Sequence, residues 1–141
     1  AIDHMKVEKC LEKNIDLKIK FSMSEKNIST KLPIQEIDFN GLVQNLLENA
    51  IEECCRIPES SERKIIWTID QISEGIKIWV ANSCNNTENI DFVTGKEDKK
   101  SHGWGVKIIK ETVAATGGRI DYIKAGTNQI HVEVFMPFAK L

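Results

Sequence analysis

Apolar residues recur along the chain with two periods, and the period changes mark its elements. Residues 15–21 alternate apolar and charged side chains, Ile15-Asp16-Leu17-Lys18-Ile19-Lys20-Phe21. A period of two predicts a half-buried strand. Residues 38–57 repeat at the helical period instead. Phe39, Leu42, Val43, Leu46, Leu47, Ala50, Ile51 and Cys54 form one apolar stripe. Asp38 is the expected N-cap, and Pro58 closes the helix by forcing the residue before it out of the helical region. Residues 64–72 and 76–80 alternate around Ser73-Glu74-Gly75, a hairpin signal. Residues 103–116 are helical in period through Val106, Ile109 and Val113, and Gly117-Gly118 stop them. Two further strands, 119–124 and 129–136, flank Ala125-Gly126-Thr127-Asn128. Residues 6–13 carry helical charge patterning, as expected for the tail of a helix. Residues 82–101 are long, polar and weakly patterned, and a loop of that length inside a compact domain usually serves function.

The order is helix, strand, helix, two strands, long loop, helix, two strands. It predicts an α+β two-layer sandwich, with one mixed, mostly antiparallel sheet packed on one face by about three helices. The length, 141 residues, suits one such domain. Residues 1–5 read as a cloning scar, leaving 6–141 as a single domain. Charge narrows the partners. Lys plus Arg number 19 against 21 Asp plus Glu, a net charge of −2. Duplex binders carry a basic excess, so nucleic acid is not expected as a partner. No apolar run approaches the roughly 20 residues of a membrane span. The four cysteines lack a C-x-x-C spacing and two are adjacent, which argues against a disulfide framework or a zinc site.

Four groups of residues could carry chemistry. Asn45, Glu48, Asn49 and Glu52 sit at i, i+3, i+4 and i+7 and so share one helix face. At 100° per residue Asn49 lies about 20° from Leu42, at the border of the buried face. A sheltered amide needs a partner, and a row of amide and carboxylate oxygens can serve a hard cation such as Mg²⁺. Taken alone, the stripe reads as a solvated helix face. Ser101-His102-Gly103-Trp104-Gly105-Val106-Lys107 leads from the long loop into a helix. Alternate glycines let backbone approach a ligand closely, and free N–H groups at a helix start favour phosphate. Lys107, two residues beyond Gly105, is expected in the first turn, where its charge opposes the helix dipole. Within the loop, Lys96 could close over a polyphosphate, whereas Lys99 and Lys100 read as a solvated charge run. Asn82, at the end of a strand, has both donors and an acceptor to read the edge of a heterocycle.

Together these groups resemble the GHKL ATPases, the superfamily of the gyrase, Hsp90, histidine kinase and MutL nucleotide-binding domains. Asn45-Leu46-Leu47-Glu48-Asn49-Ala50-Ile51-Glu52 looks like the family's N box, and His102-Gly103-Trp104-Gly105-Val106 resembles its second glycine box. Asn82-Ser83 and Thr94-Gly95-Lys96 fall between them in the order seen in the Agr-type sensor kinases. The likeness spans residues 15–138. It departs from most of the superfamily at Asn82-Ser83-Cys84-Asn85, which stands where an Asp-x-Gly-x-Gly box would bind the adenine amino group. A neutral amide in place of that carboxylate implies adenine recognition weaker by roughly 1 kcal/mol or more. Glu52 stands where many histidine kinases have Lys, so no phosphate role passes to it.

The resemblance implies the ATP-binding catalytic domain of a sensor histidine kinase that moves the ATP γ-phosphoryl group to a histidine. Asn49 would ligate Mg²⁺ and Asn45 would lie beside the phosphates. Glu48 would polarise the attacking imidazole or orient a Mg²⁺-bound water. Gly103 and Gly105, with His102, Trp104 and Val106 around them, would cradle the phosphates, Lys96 would meet the terminal phosphates, and Asn82 would contact adenine. The three histidines are His4, His102 and His131, and none stands in an acceptor-helix context. The expected partners are therefore a dimerisation and phospho-acceptor domain of the same protein, then a response regulator. The whole would be a membrane-anchored bacterial homodimer with this domain in the cytoplasm. Two rivals remain: a GHKL serine kinase of the anti-sigma type, and a degenerate nucleotide domain that only docks a partner.

Overall fold

The computed structural model describes residues 4–22, 34–85 and 103–138. Three helices and five strands follow one another: α1 (His4–Glu12), β1 (Asp16–Ser22), α2 (Glu36–Cys55), β2 (Lys64–Gln71), β3 (Gly75–Ser83), α3 (Gly103–Ala115), β4 (Arg119–Lys124) and β5 (Gln129–Pro137). The strands form one sheet in the order β1-β2-β3-β5-β4. β1 and β2 run parallel, and the β2–β3, β3–β5 and β4–β5 pairs are antiparallel. The expected mixed, mostly antiparallel sandwich is thus what forms. The parallel pair has a covalent cause. Parallel neighbours need a crossover connection, and α2 lies between β1 and β2 in the chain.

One face of the sheet carries the core. Alternation along β2 buries Ile65, Trp67 and Ile69, and along β3 it buries Ile76, Ile78 and Val80. The apolar stripe of α2 meets them with every expected residue buried, from Phe39 to Cys54. Ile109 and Val113 of α3, Cys10 of α1 and Ile15 join the same cluster. On the other face Trp79 and His131 stack edge to face, their ring centres 4.8 Å apart.

The helix ends show where local chemistry rules. α1 and α3 each close with a left-handed residue and the paired bonds of a Schellman motif. Asn14 takes φ 55°, and the amides of Asn14 and Ile15 donate to Leu11 O and Cys10 O. Gly117 takes φ 78°, and the amides of Gly117 and Gly118 donate to Ala114 O and Val113 O. The start of α2 differs from expectation. The helix begins at Glu36, two residues before Asp38, and Gln35 sits at the N-cap with no side-chain cap bond. Asp38 falls in the first turn, where its charge still complements the dipole.

Gly118 is fixed by packing. A Cβ there would lie 1.9 Å from the backbone oxygen of Phe135. Gly118→Ala should therefore pry α3 from β5 and destabilise by about 1–3 kcal/mol. Urea unfolding of the two proteins measures this, and equal midpoints would mean that the strand yields freely.

Candidate functional site

α2 supplies the centre of the site. It packs on β3 and against α3, and its polar stripe runs beside the buried one. Asn45 and Asn49 are each half-buried. Among the described residues neither side chain makes a hydrogen bond. Half-buried amides that make no bond within the protein are available to an external partner. Among the described residues no three His, Cys, Asp or Glu side chains gather as a metal cluster. Mg²⁺ takes few protein oxygens and keeps waters and substrate phosphates for the rest. The Asn49 amide oxygen fits such a ligand.

Glu48 is differently placed. Its two carboxylate oxygens receive the ammonium groups of α1: Lys6 Nζ bonds Oε2, and Lys9 Nζ lies 2.6 Å from Oε1. Successive helix positions are 100° apart. Glu48 and Asn49 therefore occupy opposite shoulders of the stripe, with α1 over the Glu48 side. Burial pushes the Glu48 pKa up, but the hydrogen bonds and charges of Lys6 and Lys9 outweigh it and hold the group below its ordinary 4.5. The bond to Glu48 raises Lys9 above its ordinary 10.5 against the opposing effect of burial, with Glu52 adding to the rise. The two shifts fix the sign of the pH dependence. A depressed carboxyl contributes stability above its unfolded pKa and loses it as pH falls through the folded value. A raised amine contributes below its unfolded pKa and loses it as pH rises. The pair is then worth most between about pH 5 and pH 10. Glu48→Gln should flatten the acid limb of stability below about pH 5, which thermal melts from pH 3 to pH 7 resolve. A mutant whose acid limb matches the parent would show that the pair contributes nothing.

The end of β3 is more enclosed than expected. The strand runs on through Ser83, and the alternation that buries Ile78 and Val80 turns Asn82 to the same helix-side face. Asn82 is only 3% exposed, and its Nδ2 donates to Ser83 O at 3.0 Å. Cys54 of α2 sits above, its thiol 3.6 Å from Ser83 O and 3.7 Å from Lys64 O. Burial pushes that thiol up to about 12, and it stays protonated. Asn82 thus lies beneath the last turn of α2. Asn49 and Asn45 stand about 7 and 13 Å back along the helix from Cys54, at 1.5 Å per residue.

α3 begins at Gly103, so Gly103, Trp104, Gly105 and Val106 occupy its first turn. The helix start therefore falls where the sequence period placed it. The same start corrects the placement of Lys107. It is the fifth residue of the helix and is exposed, beyond the first turn within which the dipole acts strongly. Lys96, His102 and the other residues from 86 to 102, most of the expected loop, lie outside the described residues.

One structural residue of this region escaped the sequence reading. Arg63, 7% exposed, ties three elements together. Its Nε donates to Ile57 O at 3.1 Å, its Nη1 to Lys13 O at 2.8 Å and its Nη2 to Ile57 O. It thereby satisfies carbonyls just past α2 and α1, at the ends that favour a cation. Its setting in Glu59-Ser60-Ser61-Glu62-Arg63-Lys64 reads as solvated surface, so no local signal marked it.

A family model for the GHKL domain matches residues 34–137. No curated protein matches the sequence. The fold is similar to the Acinetobacter baumannii histidine kinase AdeS, with TM-score 0.68 and 11% identity over 96% of this chain. This chain spans 60% of that protein. It is also similar to the catalytic domain of the histidine kinase ThkA, with TM-score 0.64 and 21% identity over 94% of this chain and 87% of that one. The histidine kinase domain of the Erythrobacter litoralis EL346 blue-light activated histidine kinase gives TM-score 0.66 and 14% identity, over 94% of this chain and 57% of that one. At these identities the likeness is one of fold.

Proposed function

Because the chain belongs to the GHKL domain family, we propose that it is the ATP-binding catalytic domain of an Agr-like sensor histidine kinase. The observation that carries the reading is the pair of half-buried amides, Asn45 and Asn49, unsatisfied by the described protein groups on a helix that the family model covers. ATP would lie between the polar stripe of α2 and the start of α3. Asn49 would hold Mg²⁺ and Asn45 would contact phosphate oxygens. Mg²⁺, when bound, would neutralise phosphate charge. The first-turn amides of α3 would receive the phosphates, and Asn82 would close the adenine end. Lys96 and His102 complete the proposed contacts by their place in the sequence motif. Glu48 would orient or polarise the attacking group. Phosphoryl transfer asks little covalent work of the protein, so these residues would act by positioning and charge.

The acceptor histidine would come from a dimerisation domain of the same protein, and a response regulator would take the phosphoryl group onward. We place the domain on the cytoplasmic side of a membrane-anchored homodimer. Among the described residues no helix is long and apolar enough to cross a membrane. Two measurements test the reading. Calorimetry with a non-hydrolysable ATP analogue and Mg²⁺ should give heat, and silence at millimolar ligand would leave only a docking module. Supplied with its acceptor domain, the protein should form an acid-labile phosphoamino acid. An acid-stable one would indicate the serine kinase alternative.

A further inference from the structure

We propose that α1 is a releasable restraint on the candidate site, with Lys6 and Lys9 holding Glu48 out of service until the first turns of the helix lift away. This rests on the reading of Glu48 as the side chain that meets the attacking group. Both oxygens of Glu48 are already taken, each by a different ammonium group. Glu48 is 28% exposed and Lys6 22%, so the pair is only partly screened by solvent. With both oxygens occupied, the carboxylate is turned toward α1 rather than toward the Asn49 shoulder.

The two halves of α1 are anchored unequally, which allows the restraint to release without unfolding the domain. The C-terminal half is built in. Cys10 is buried in the core, the Asn14 turn closes the helix, and Arg63 clasps Lys13 O. The N-terminal half is held less deeply: from Lys6 to Lys9 no side chain is fully buried, and the one apolar residue there, Val7, is half-buried. Among the described residues, the ion pairs of that half to α2 are the two lysine contacts to Glu48. Elements with few buried apolar contacts open at low free energy. A pull or twist on the N-terminal end of α1 would therefore part the lysines from Glu48 while Cys10 and Arg63 hold the hinge.

The test is the double variant Lys6→Gln/Lys9→Gln in the 141-residue chain, read in two ways. Amide hydrogen exchange should show Glu8 and Lys9, the first amides of α1 with an intrahelical acceptor, exchanging about tenfold faster, with α2 unchanged. Mg-ATP hydrolysis should rise about fivefold or more in turnover at constant KM, and Glu48→Gln added to the double variant should erase the gain. Unchanged exchange in α1 overturns the restraint whatever the turnover does. Faster exchange with equal or lower turnover also overturns it, because the lysines would then only support or orient Glu48. A parent chain that binds no Mg-ATP refutes the nucleotide reading itself and removes the role of the restraint with it, a result that the exchange arm alone would not produce.

Discussion

Asn49→Ala should lose Mg²⁺-dependent ATP binding while the protein stays folded. The amide is half-buried and no described protein group satisfies it, so its removal costs the empty domain little, within about 0.5 kcal/mol. Its interaction with charged ligand groups is another matter. Hydrogen bonds to charged partners are worth about 1.5–3 kcal/mol, and losing one weakens affinity by roughly 10–100-fold. Loss of the metal would add to that. Calorimetric titration with and without Mg²⁺, beside a thermal melt, separates the two effects. A variant that binds Mg-ATP like the parent would remove Asn49 from the site. One that melts far below the parent would make it a structural amide instead.

Arg63→Leu should have the largest effect on stability of any substitution outside the core. The guanidinium is buried and serves carbonyls of the α1–β1 turn and the segment after α2. Leucine fills part of the volume but strands those oxygens. Each of the two stranded acceptors, Ile57 O and Lys13 O, costs about 1–3 kcal/mol, for a total of about 2–6 kcal/mol. A domain of this size has only about 5–15 kcal/mol to lose. Arg63→Lys should recover little, since a single ammonium cannot span the fork of the guanidinium. Denaturant midpoints measure both variants. A shift below about 1 kcal/mol would mean that water replaces the guanidinium in both turns. The Glu59 carboxylate, 3.9 Å from Arg63 and exposed, is too solvated to decide the outcome.

The periodic elements were legible because amphipathicity is a local property. The face of α2, the alternation of β2 and β3, and the stops at Gly117 and around Gly75 each follow from which side of a helix or strand is apolar. Of the motifs that point to nucleotide, Asn45–Glu52 lies on α2, Asn82-Ser83 at the end of β3 and Gly103–Val106 at the start of α3. The fold and the family therefore follow from residues close together in sequence.

Other features depended on encounters between distant segments. The partner of Glu48 was not legible: Lys6 and Lys9 lie 42 and 39 residues away, and their own neighbourhood reads as ordinary surface charge. Arg63 finds its acceptor at Lys13, 50 residues away. The burial of Asn82 required β3 to continue through Ser83 between β2 and β5, which strand pairing decides and propensity does not. The start of α2 at Glu36 shows the same limit on a small scale, since Gln35, whose side chain makes no cap bond, takes the position that Asp38 would suit better. Sequence by itself determined which faces are apolar and which residue types stand together on α2 and α3. Only the tertiary structure decided which charges meet, because an ion pair or a buried amide depends on what the chain brings back from afar, and no local period encodes that.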